Sequence, residues 1–332
     1  MIHGSIVALI TPFLENGDLD VKSFRRLVHE QMEQGTTGLT IGGTTGEAST
    51  LSSEELEILI EAAVQEVKGR IPIIAGVGSN NTKVSVQKTL RAKELGADVC
   101  LVVFPYYNKP MFEGCLAHFE AISRCNLPMV VYYHPGRTGV RLSVPELAQI
   151  CSLPSVIALK DCSGSLEMPL EVKKLSNTLL FAGDDPCTLP LIEKGAEGVI
   201  SVLGNLVPFQ WNQMVQASLA GDHEKARAYY KQLEPLCLVM GLETNPQCIK
   251  YAMSLQGYCA PIFRLPLTVP QKTRVCVLKK KCVLFLDPSL LLYKYILISE
   301  HPRIIEKQFY VRKYAFELFQ RYLSIQSLVL YK

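Results

Sequence analysis

Val156-Ile157-Ala158-Leu159-Lys160-Asp161 is an apolar run that ends in charge. Its first four residues have the composition of a strand buried on both faces, as in a parallel sheet covered by helices. Lys160 then stands at the carboxyl end of that strand, where α/β sheets and barrels build their ligand sites. Taking an ammonium out of water is costly, and the usual response is a lowered pKa that leaves more of the neutral amine. Such an amine can condense with a ketone to form an imine. A lysine that has merely reached the solvated rim and caps a strand end would give the same hexapeptide.

The run belongs to a repeating pattern. Strands are expected in 4–13, where Pro12 ends the run, at 38–43, 71–78, 99–104, 128–133, in the Lys160 run itself, and at 179–182 and 198–202. Between them, helical spacing of apolar residues marks 20–34, 82–95, 112–124, 145–151, 166–176, 189–194 and 208–219. A further helix opens with the capping box of Ser52-Ser53-Glu54-Glu55. Eight strand–helix units in about 220 residues imply parallel strands with right-handed crossovers. Their number and length fit a closed (β/α)8 TIM barrel, class α/β, better than an open doubly wound sheet. The barrel is assigned to residues 1–222. Helices at 224–240 and 247–255 form a small C-terminal helical appendage over residues 223–267.

The 332 residues are 48% hydrophobic and 20% charged, which suits a folded chain with a substantial core. The net charge of +3 is unevenly placed, because residues 268–332 hold 12 Lys+Arg against 4 Asp+Glu. The body is therefore acidic and offers no broad footprint for nucleic acid. The basic tail has no clean period and no glycine, and its structure is open. Its apolar stretch 282–299 is broken by Asp287, Pro288 and Lys294, so no membrane span is expected. The 11 cysteines show no paired metal-ligand spacing, so no metal is expected. With no signal-peptide pattern at Met1-Ile2-His3-Gly4, the expectation is a cytoplasmic protein with free thiols.

In a barrel, residues that follow the strands share one mouth. After the second strand comes Gly42-Gly43-Thr44-Thr45-Gly46-Glu47, where glycines permit a tight turn and two hydroxyls can hold a carboxylate or pass protons. Read alone, it is equally a turn leading to a helix. After the fourth comes Pro105-Tyr106-Tyr107-Asn108-Lys109-Pro110, whose tyrosines could pack or carry protons. After the fifth comes Tyr132-Tyr133-His134-Pro135-Gly136-Arg137-Thr138-Gly139. It supplies a tyrosine for acid/base work and an arginine fork for a carboxylate, while His134 reads as structural. Gly183-Asp184-Asp185 and Gly204-Asn205 close the mouth.

GGTTGE, PYYNKP, YYHPGRTG and ALKDCSG, in this order and spacing, resemble the dihydrodipicolinate synthase family, the 4-hydroxy-tetrahydrodipicolinate synthases. That family belongs to the lysine-dependent class I aldolases, which include N-acetylneuraminate lyase. The resemblance spans about residues 4–267 and is lost beyond about Val269. It implies a (β/α)8 barrel with a helical C-terminal part, which is the architecture read above. It also implies Lys160 as the imine-forming lysine, Tyr132 as acid/base, and Thr44 with Tyr107 completing a proton relay. Tyr107 would come from a neighbouring subunit of a homodimer or a homotetramer. Thr45 would belong to the pyruvate-carboxylate site and Arg137 to the carboxylate of the second substrate, L-aspartate-4-semialdehyde. Ile200 would present its carbonyl near Lys160, and Gly183 would lie at the substrate site. Neither a metal nor a diffusible cofactor is implied.

Two other readings stay open at this point. N-acetylneuraminate lyase and keto-deoxy-sugar-acid aldolases share the scaffold, and Arg137 separates them from the synthases. A non-catalytic barrel acting as a binding or regulatory protein would not need Lys160, Tyr132 and Thr44 together. The resemblance also implies weak inhibition by L-lysine, or none. The positions matching the inhibitor pocket are Ser53, Leu56 and Val84, with Asn80 and Tyr106 kept, and no carboxylate stands at position 84.

Overall fold

The computed structural model describes residues 2–286, with Lys280 and 283–286 described in backbone only. The first units are β1 (Gly4–Ala8), α1 (Val21–Glu33), β2 (Gly38–Ile41), α2 (Ser53–Val67), β3 (Ile73–Gly76) and α3 (Thr82–Glu94). Next come β4 (Val99–Val103), α4 (Phe112–Ser123), β5 (Met129–Tyr133), α5 (Pro135–Thr138), α6 (Val144–Cys151) and β6 (Val156–Asp161). The barrel ends with α7 (Met168–Ser176), β7 (Leu179–Ala182), α8 (Thr188–Glu193), β8 (Gly198–Ser201) and α9 (Pro208–Leu219). Beyond it lie α10 (His223–Met240), α11 (Gln247–Leu255) and α12 (Lys272–Leu286). The strands pair in chain order, all parallel, and β8 closes on β1 through Ile6 opposite Ile200.

The core fills the barrel with side chains that alternate inward along the strands. Ile6, Ile74, Leu101, Val130, Ala158, Phe181 and Ile200 form one buried cluster that also takes in Tyr132. Local signals set the helices. Asp20 caps α1 through Ser23 N–H, and Asp222 caps α10 through Lys225 N–H. Ser52 and Glu55 exchange both capping-box hydrogen bonds at the start of α2.

Three expectations shift. The Lys160 strand does not stop at Leu159. It runs through Asp161, because Lys160 lies opposite Tyr132 on β5 and Phe181 on β7, and Asp161 opposite Tyr133 and Ala182. Its first two residues are only half-buried, while 158–161 are buried. The first strand ends before Pro12, because Ile10 N–H turns to the Asn205 side chain at 3.0 Å and leaves the ladder. Within 268–332, residues 272–286 are helical, and the first compact unit extends to Leu278. Residues 287–332 of that tail lie outside the described residues.

Among the described residues no helix is long and apolar enough to cross a membrane, and no group of three or more His, Cys, Asp or Glu could hold a metal. Cys100, Cys115, Cys125, Cys151 and Cys162 of the barrel are free thiols.

Candidate active site

Register brings the first pair together. Tyr132 and Lys160 are direct partners on β5 and β6. Lys160 Nζ lies 4.3 Å from the centroid of the Tyr132 ring, and each residue is 6% exposed. Burial pushes the lysine pKa below its ordinary value, and the Arg137 charge pushes the same way against Cys162, Asp184 and Asp185. Burial raises the Tyr132 hydroxyl well above its ordinary value, while a hydrogen bond from the Thr44 side chain opposes the rise. The result is an amine that gives up its proton more readily than an ordinary lysine, beside a phenol that keeps its own more firmly than an ordinary tyrosine.

The β2–α2 loop supplies the hydroxyls. Thr44 reaches Tyr132, and Thr45, 2% exposed, accepts a hydrogen bond from Asn245 Nδ2 at 3.0 Å. Arg137 stands exposed on α5, and its Nη2 donates to the Asn245 carbonyl at 3.2 Å. The α10–α11 connection thus steadies both a hydroxyl and the guanidinium of the mouth.

Gly183 stands where β7 ends, and its role is one of space. A Cβ there would lie 2.3 Å from Cys162 Sγ, 2.7 Å from the Asp161 carbonyl oxygen and 3.1 Å from Lys160 Cε. Ile200 is wholly buried on β8 within the barrel core. Tyr107 is not brought into this chain's site. It is 89% exposed on the β4–α4 loop, with a left-handed φ of 74°.

The sequence reading missed several contributors. Cys162 donates toward Tyr132 Oη at 3.9 Å. Asn245 touches Thr45 from 200 residues away, a relation that spacing does not reveal. Arg137 sits on a one-turn helix that Gly139 closes with a left-handed φ of 72°. Tyr133 is structural: its hydroxyl accepts from Leu142 N–H at 3.0 Å, and its ring packs edge-on against Phe104.

A closed parallel barrel with a dry lysine, a phenol and paired hydroxyls at the carboxyl ends of its strands defines an enzyme of the (β/α)8 class. Comparison with known proteins narrows the class. The sequence model of the dihydrodipicolinate synthetase family matches residues 1–281, about a dozen residues beyond Val269. A 4-hydroxy-tetrahydrodipicolinate synthase of Pelobacter propionicus is 43% identical over 270 residues, 80% of this chain and 93% of its own length. The solved structure of chloride-inhibited dihydrodipicolinate synthase from Acinetobacter baumannii, complexed with pyruvate, superposes with TM-score 0.83 at 37% identity. It covers 85% of this chain and 98% of its own. A monomeric dihydrodipicolinate synthase variant superposes with TM-score 0.81 at 36% identity, over 85% and 97% of the two chains. The chain belongs to the dihydrodipicolinate synthetase family.

Proposed function

We propose that the chain condenses pyruvate with L-aspartate-4-semialdehyde through a Schiff base on Lys160, a carbon–carbon bond-forming lyase step in diaminopimelate and lysine biosynthesis. The observation that carries this reading is the desolvated Lys160 amine set 4.3 Å over the Tyr132 ring. An amine whose pKa burial lowers is available to attack the ketone of pyruvate. The imine then acts as an electron sink and makes the pyruvate methyl group acidic. Tyr132, protonated and linked to Thr44, passes protons on and off the reacting carbons. The enamine attacks the aldehyde, and the amine of the second substrate displaces Lys160 as the ring closes.

Thr45 would hold the pyruvate carboxylate, and its acceptance of the Asn245 N–H leaves its own proton free to donate. Arg137 would hold the carboxylate of the semialdehyde with a planar fork, which favours the synthase over the sugar-acid aldolases. Tyr107 would complete the relay in a neighbouring subunit, and its exposure suits that role. The assembly would be a homodimer or a dimer of dimers in the cytoplasm. L-lysine would inhibit weakly or not at all, since Val84 and the buried Leu56 give its ammonium no carboxylate.

Arg137→Lys tests the substrate assignment. The variant should lose use of the semialdehyde while still forming the pyruvate imine. Equal loss of both steps would show that Arg137 supports the site as a whole.

A further inference from the structure

The chemistry above leaves His134 unused. It stands at the N-cap of α5, yet its side chain caps nothing there. Its backbone is held instead: the His134 carbonyl accepts Arg137 N–H at 3.0 Å and the Thr138 hydroxyl at 3.0 Å. The imidazole centroid lies 5.9 Å from that of Tyr132, the same ring that Lys160 Nζ overlies at 4.3 Å. The half-buried ring has one buried nitrogen, Nδ1, without a hydrogen-bond partner. Closed to solvent, Nδ1 cannot meet a ligand, so the ring can take a proton from one only through Nε2.

The groups facing the ring come from four elements. They are Arg137 on α5, Lys160 on β6, Asp184 after β7 and the Tyr132 ring on β5. Burial pushes the imidazole pKa down, Arg137 and Lys160 push it further down, and Asp184 pulls it up. A neutral imidazole is therefore favoured at neutral pH, and it can take a proton.

We propose that His134 is the base that deprotonates the amine of the second substrate, so that this amine can displace Lys160. The proposal rests on the two-substrate reading given above. The geometry comes from one helical turn. His134 is the residue from which the short α5 turn carrying Arg137 springs, and the guanidinium is near enough to push the imidazole pKa down. In an α-amino acid the amine shares its carbon with the carboxylate, so a fork on the carboxylate places the amine beside the imidazole. The ammonium N–H bond breaks toward His134, and the freed lone pair forms the ring C–N bond at the carbon of the protonated imine, whose π pair moves to the Lys160 nitrogen. One proton then moves from the ring nitrogen to the Lys160 nitrogen. The carbon–Lys160 bond breaks with its electron pair going to lysine, which leaves as a neutral amine, while the lone pair of the ring nitrogen forms the ring C=N bond. His134 returns its proton to water.

The test uses full-length enzyme turning over pyruvate and L-aspartate-4-semialdehyde, quenched with borohydride at steady state and read by mass. Wild type should carry mainly a pyruvate adduct on Lys160. His134→Asn should accumulate a heavier adduct holding pyruvate and the aldehyde together, lose turnover by about 10²-fold and lose the acid limb of its pH profile. In His134→Ala, added imidazole should restore part of the turnover. Unchanged turnover with an unchanged acid limb and no heavier adduct would overturn the proposal. So would variants that fail to trap pyruvate where wild type traps it, since His134 would then only support the fold. A wild type that traps no pyruvate would bring down the underlying reading first.

Discussion

Lys250 on α11 and Glu47 in the β2–α2 loop form an ion pair 2.5 Å apart, with both side chains fully buried. The lysine Nζ also lies 4.0 Å from the centroid of Phe13 and 5.1 Å from that of Phe263. Glu47 accepts in addition from Arg264 N–H at 3.2 Å, and Arg264 pairs with Glu55 and donates to the Gly17 and Thr50 carbonyls. Glu47 follows Thr44 and Thr45 closely and holds a left-handed φ of 57°. The C-terminal helices therefore fasten the loop that carries both hydroxyls of the site.

Breaking half of a buried pair leaves an uncompensated charge, which costs about 3–5 kcal/mol. Lys250→Met should lower the unfolding free energy by about that amount, and adding Glu47→Gln should recover most of it. Urea denaturation of the single and double variants measures this. Equal stability of the two variants would show that the charges do not depend on each other.

A pH dependence follows from Asp161. Burial pushes its carboxyl up from 3.8 to about 6, against hydrogen bonds from Ser163 that pull it down. In that window the folded chain keeps a proton that the unfolded chain has lost, so stability falls as pH rises from about 4 to about 6. Asp185 is shifted in the same direction, also to about 6. Asp161→Asn removes one of these groups. Its stability relative to wild type should improve between about pH 4.5 and about pH 7, a difference that unfolding curves at both pH values would reveal. A constant difference would contradict the shift.

Tyr107 gives a test of assembly. It is 89% exposed here and would act in a second copy. Mixtures of Tyr107→Phe and Lys160→Ala subunits should regain activity through hybrid sites after subunit exchange. No recovery after proven exchange would remove Tyr107 from the relay.

The barrel was legible because its evidence is local. Apolar runs of four to six residues, helical spacing and caps such as Ser52–Glu55 lie within a few residues of one another. Lys160 and Tyr132 could be placed near one mouth because each stands in the last two residues of an apolar strand run, and Thr44 because it follows one. What stayed hidden depends on distant partners. A lysine in an amphipathic helix reads as solvated, and only Glu47, 203 residues away, makes Lys250 a buried ion. Asn245 joins the mouth by the same long-range packing, through Thr45 and Arg137. The α12 helix was missed because its lysines and arginine interrupt any apolar stripe.

The central claim is that Lys160 forms the covalent bond. Wild-type protein incubated with pyruvate and reduced with borohydride should carry a pyruvate-derived mass on a peptide containing Lys160. Lys160→Ala, confirmed as folded, should carry none. An adduct of equal yield in Lys160→Ala, or no adduct on wild type under conditions of turnover, would contradict the account.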